Sequence, residues 1–297
     1  MKTNNTLSII IMISLFTLFL SSCTTPTPEE GQFLYEMGQN LIEKFQEMPG
    51  ISQRIDIANY FNNYIINLGL ISFAFGGEPQ LQVYVFPYNS DHMATASFSQ
   101  FEAPPSSSTF WDCAFVVRPN ANLRAPYFSG DAANPIGGMN ASFEMDFYNV
   151  NNGSIDIDTF FGDQITKINQ ALELVKDFQR TGKDRGKYTR HLDPYKSNYR
   201  IEIELPYSAV EAERKTYLNA AHGAFTLFLD AYLISLARLE PENDDSLIQG
   251  TKDGTDEFIQ ILLDYDYAVL LGRMMFGNDF EKYFTDAMWR DGYYGEG

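Results

Sequence analysis

The chain reads as an α+β protein, a three-layer α/β/α sandwich built on a central, mainly antiparallel sheet. Three observations predict it. Short alternating runs of apolar and polar residues fall close together in the first half. Turn-forming residues separate them at hairpin distances. The second half carries long runs with helical spacing, interrupted by one alternating segment. Strands first and helices after favour helices packed on an antiparallel sheet.

The elements follow in order. Residues 32–48 place Phe33, Leu34, Met37, Leu41, Ile42 and Phe45 at helical intervals. Residues 55–71 stay apolar-rich and predict a helix leading toward the sheet. Strands are predicted at 81–87 (LQVYVFP), 110–117 and 140–150 (NASFEMDFYNV). Pro104-Pro105, Pro119-Asn120, Gly137-Gly138 and Asn152-Gly153 mark the turns between and after them. A helix is predicted over 159–180, with Phe160, Ile165, Ile168, Leu172, Val175 and Phe178 on its apolar face. A basic, turn-rich stretch (183–200) leads into a strand at 199–205, stopped by Pro206. Ser208 with Glu211 three residues on has the form of a capping box, opening a helix to about Arg238. Helices at 253–276 and 279–289 complete the pattern.

The N-terminus predicts export. Lys2 is a short positive region, residues 7–20 (LSIIIMISLFTLFL) are an apolar core, and Leu20-Ser21-Ser22-Cys23 follows. That order has the form of a lipobox, in which the Cys23 thiol receives a diacylglycerol and becomes the new N-terminus. The apolar core falls short of the roughly 20 residues of a spanning helix. The expected division is a signal peptide at 1–22, a Pro/Thr tether at 23–30 and a single domain at 31–297. The mature protein is then exported and lipid-anchored to a bacterial membrane.

Composition bounds the partners. Hydrophobic residues make up 44% of the chain, with Phe 24 and Tyr 18, enough for a packed core. The net charge is -18. Removing Lys2 with the signal leaves 20 basic and 39 acidic residues, a net of -19. Such a surface repels nucleic acid, anionic headgroups and acidic proteins. With Cys23 lipidated, Cys113 is the one remaining thiol, so no intrachain disulfide forms.

Common catalytic signatures are absent: no GxSxG elbow, Gly-rich phosphate loop, CxxC or HExxH occurs. His92, His191 and His222 lie far apart on different predicted elements, which argues against a zinc site. No bound cofactor or metal is expected. One segment stands out: WDCAFVVRP at 111–119, then Pro126-Tyr127-Phe128-Ser129-Gly130-Asp131, then Gly137-Gly138 and a strand containing Asp146. Further on come HLDPYKSNYRIEIELP at 191–206 and a helical tail at 259–289, with Asp266 eleven residues before Gly277.

In this order and spacing the motifs resemble the ferredoxin-dependent bilin reductases, which reduce open-chain tetrapyrroles such as biliverdin. The resemblance covers most of 111–289 and implies one bilin-reductase-like domain. A ligand pocket would lie between the sheet and the C-terminal helices. It implies a linear tetrapyrrole as ligand and an external one-electron donor, with no flavin or metal. A conjugated bilin takes electrons singly, and the protein supplies protons from placed acids. Asp131 would be the central donor, beside Phe128, with Asp266 opposite it from the helical layer. Arg118 and Arg124 would pair with propionates, and Tyr267 would stand where the family has a lysine after the helical aspartate. The residues alone favour Asp131 as a turn residue and Asp266 as one acid on a solvated helix face; the family spacing is what turns them toward catalysis.

This chain departs from the family at further positions and in its charge. No histidine occurs at Asp112-Cys113-Ala114, where the family has its catalytic one. Leu205 replaces the basic residue before the strand-ending proline. The acidic charge and export also disfavour ferredoxin, itself acidic and cytoplasmic, as donor. Two other readings stay open: a non-catalytic tetrapyrrole or haem carrier or sensor, and an unrelated envelope lipoprotein whose aromatic residues stack on glycan or protein.

Overall fold

The computed structural model describes residues 28–55, 58, 65–67, 80–103, 109–133, 141–150, 155–179, 189–206, 209–265, 284–285 and 287–288. The first helix, α1, spans Pro28–Gln46. It begins inside the expected tether because proline at the first helical position, followed by Glu29 and Glu30, suits a helix start. The sheet comprises β1 (Ser52–Gln53), β2 (Ile65–Asn67), β3 (Gln80–Asn89), β4 (Met93–Ala103), β5 (Thr109–Pro119), β6 (Tyr127–Ala133), β7 (Ala141–Tyr148) and β8 (Ile201–Leu205). Its order is β1-β3-β4-β5-β6-β7-β8, with β2 pairing on β3, and every pairing is antiparallel.

Between β7 and β8 come α2 (Ile157–Phe161) and α3 (Ile165–Val175), and after β8 come α4 (Glu211–Leu236) and α5 (Asp245–Tyr265). The helix expected over 159–180 is broken because Gly162 turns the chain at φ 50°, a conformation other residues rarely adopt. The start of α4 also differs from expectation. Its Val210 N–H is held by the Glu213 carboxylate at 3.1 Å, so the reciprocal partner sits two residues beyond Glu211. Part of the helix expected at 55–71 is strand instead: Ile65, Ile66 and Asn67 pair with Gln82, Leu81 and Gln80.

Strand alternation sends β5–β8 side chains to two different layers. On one face Phe98, Phe115, Phe128, Phe143, Met145, Phe147, Ile201 and Ile203 pack against α1, α3 and α4 in the main core. The long helix α4 is buried along most of its length, through Phe225, Phe228, Tyr232 and Leu236. Gly130 lets the layer close, since a Cβ there would lie 2.5 Å from the Glu144 carbonyl oxygen and 2.8 Å from the Phe115 ring. On the other face Val116, Tyr127, Tyr148 and Val150 meet Tyr195, Phe258, Leu262 and Met288. The Phe258 ring of α5 lies between 5.1 and 5.6 Å from the rings of Tyr127, Tyr148 and Tyr195. The sheet is therefore sandwiched between two helical layers.

Candidate functional site

The second face carries the polar chemistry. Register places Val85, Ser99, Ala114, Asp131, Glu144 and Glu202 in one row across six strands. The next row contains Pro87, Ser97, Val116, Ser129 and Asp146. Small side chains occupy the middle of both rows. Ser99 and Ser129 turn their hydroxyls onto the sheet itself, donating to the carbonyls of Ala114 at 3.4 Å and Phe115 at 3.1 Å. Ser97 donates to the Ala287 carbonyl, which ties the C-terminal segment to this face. Acids flank the small residues on the β6–β8 side.

Asp131 is half-buried at the inner edge of that acidic flank, between Ala114 on β5 and Glu144 on β7. Its charge is felt by the Cys113 thiol and the Tyr148 phenol, both pushed well up chiefly by their own burial. Cys113 itself is fully buried on the opposite, apolar face. A thiol there behaves as a small apolar side chain.

Among the described residues, Asp146 is the most buried acid of the face, 1% exposed. Its Oδ1 accepts the Ser197 hydroxyl at 2.6 Å, the Ser197 N–H at 3.2 Å and its neighbour Phe147 N–H at 2.7 Å. Burial raises its pKa to about 6, although these hydrogen bonds and the Arg200 charge pull the other way. Arg200 lies one step beyond the last β7–β8 pair, Met145 with Ile201, and so next to Asp146. One terminal nitrogen of its guanidinium reaches Glu144 at 2.9 Å and Glu202 at 3.1 Å. Burial works against the Arg200 charge, but the acids around it raise its pKa on balance.

The structure divides the residues expected in the site. Asp131 faces the C-terminal helical layer. Phe128 does not: it points to the main core, 0% exposed, with ring centroids 4.9 Å from Phe115 and 5.0 Å from Phe147 and Tyr232. The expected placing of Phe128 beside Asp131 is thereby corrected: odd and even positions of β6 face different layers, so the two side chains lie on opposite sides of the sheet. Arg118 shares the Asp131 face but lies four residues along β5 from Ala114, about 14 Å at strand rise. Arg124 is exposed in the loop at that same end. Cys23, Asp266 and Tyr267 lie outside the described residues. Asp266 follows Tyr265, the last described residue of α5, directly in the chain. Sequence reasoning gave no role to Arg200, and it treated Asp146 only as a motif position. Their burial depends on pairing between strands more than fifty residues apart.

An antiparallel sheet between two helical layers, with an acid-bearing face under the C-terminal helices, defines the class of fold. No protein-family model matches the chain, and no curated protein matches it. Among solved structures, the crystal structure of phytochromobilin synthase from tomato in complex with biliverdin is similar to it. The TM-score is 0.63 over 88% of this chain and 83% of that one, at 13% sequence identity. What the two share at that identity is the fold.

Proposed function

We propose that the chain binds a linear tetrapyrrole of the biliverdin type on the second face of the sheet, beneath the C-terminal helices. One observation carries this reading: Asp131, a half-buried acid, stands on that face in one row with the small side chains of Ser99 and Ala114 and beside the row of Ser129. The fold likeness to a protein crystallised with biliverdin supports it.

The second part of the proposal is reduction. The bilin takes single electrons from an external donor, and Asp131 delivers protons to the reduced π-system, with Asp266 as second acid. The chain supplies orientation and protons and requires no bound cofactor. A net charge of -18 favours a basic donor over ferredoxin. Anchoring through a lipid on Cys23 would hold this chemistry at an exported membrane surface.

Titration of the full chain in detergent with biliverdin, followed by visible absorption, tests the reading. A saturable, red-shifted band that changes on adding a one-electron reductant supports a reductase. A band that persists unchanged defines a carrier. No band with biliverdin or haem overturns the proposal.

A further inference from the structure

The Asp146–Arg200 corner of the second face contains polar atoms that the reduction chemistry does not use. Asp146 Oδ2 and Arg200 Nε and Nη1 are buried and have no hydrogen-bond partner among the described residues. The side chains around them are 1% and 7% exposed. They belong to adjacent residues across the β7–β8 pairing and influence each other electrostatically. An acceptor oxygen and two donor nitrogens thus stand unmatched side by side. Leaving such groups dry is unfavourable, so the corner is shaped for a group offering both a donor and an acceptor.

Charge selects which group. Arg200 already pairs with two carboxylates, Glu144 and Glu202, at 2.9 and 3.1 Å. A ligand carboxylate would be the third anion on one guanidinium, and it would face the Asp146 carboxylate as well. A neutral cis-amide edge meets the same atoms without adding charge: its N–H donates to Asp146 Oδ2 and its C=O accepts from Arg200.

We propose that Asp146 and Arg200 form a subsite for the lactam edge of a terminal pyrrole ring, rather than for a propionate. The inference rests on the tetrapyrrole reading and adds an orientation to it. One end of the ligand lies over the β7–β8 edge, and the acid of β6 sits toward its middle.

Biliverdin and its dimethyl ester, which keeps both lactams and lacks both carboxylates, separate the alternatives. The full chain in detergent is titrated with each by visible absorption, as wild type, Asp146→Asn and Arg200→Gln. Thermal melting establishes that each variant is folded. Asp146→Asn presents an N–H where the lactam needs an acceptor, so both compounds are expected to weaken roughly 10-fold or more, by the same factor. Arg200→Gln should also weaken both equally. Loss of biliverdin affinity alone, with the ester unaffected, would assign Arg200 to a propionate and overturn the proposal. Wild-type affinity for both compounds in Asp146→Asn would show that solvent fills the corner, and would overturn it too. Should Arg200→Gln fail to fold, Asp146→Asn decides the matter by itself. Absence of a band with wild-type protein would instead overturn the tetrapyrrole reading, and this inference with it.

Discussion

The Asp146 carboxylate accepts both the hydroxyl (2.6 Å) and the N–H (3.2 Å) of Ser197, a residue 51 positions further along the chain. The contact pins the turn before β8 to the end of β7, and it does so with a carboxyl removed from water. The same pair therefore links the shape of the acidic corner to pH.

Stability should fall as this carboxyl ionises. Burial lifts its pKa from 3.8 to about 6, so the folded state holds the proton more tightly than the unfolded chain. The contribution is fully present below about pH 4 and is lost as the pH rises through about 6, an effect of about 3 kcal/mol for a shift of this size. Asp156, Asp163 and Asp244 act in the opposite sense, since hydrogen bonds to their charged forms lower their pKa values. Comparison with Asp146→Asn cancels them. Urea unfolding at pH 4 and pH 7 should show the variant gaining on wild type at the higher pH. Parallel stabilities at the two pH values would contradict the assignment.

Phe128 should matter for folding and not for ligand. Its ring fills the core between Phe115, Phe147 and Tyr232 on the face away from Asp131. Phe128→Leu is expected to cost about 1–3 kcal/mol through the volume it leaves empty. Biliverdin affinity, measured well below the melting temperature, should not change. A selective loss of affinity at wild-type stability would contradict this placement of Phe128.

Thiol counting reports on both cysteines. Cys113 is buried and its pKa is raised by desolvation, so it should resist an aromatic disulfide reagent in the native protein. Unfolding should release one reactive thiol from membrane-extracted protein if Cys23 carries a thioether-linked lipid. Two thiols would show Cys23 to be present and unmodified.

Much of the fold was legible in the sequence, and the exceptions have physical causes. The period of Phe33, Leu34, Met37, Leu41 and Phe45 gives α1, which buries one face, and the runs at 81–87, 110–117 and 140–150 give β3, β5 and β7. Strand β4 (MATASFSQFEA) escapes notice: it has few β-branched residues, and its small Ala96, Ser97 and Ser99 are placed by neighbours on both sides rather than by propensity. The site was less accessible. Asp131 stands out only through resemblance to a family. The coupling of Asp146 to Arg200 exists only once β8 has paired with β7, which no local pattern announces.

The central claim is that Asp131 protonates a tetrapyrrole bound on its face of the sheet, and one comparison tests it most directly. Wild type and Asp131→Asn, each saturated with biliverdin, are mixed with excess artificial one-electron reductant, and the visible band is followed in time. The account predicts that Asp131→Asn retains the bound band while its conversion slows by roughly 100-fold or more. Equal conversion rates in the two proteins would contradict it.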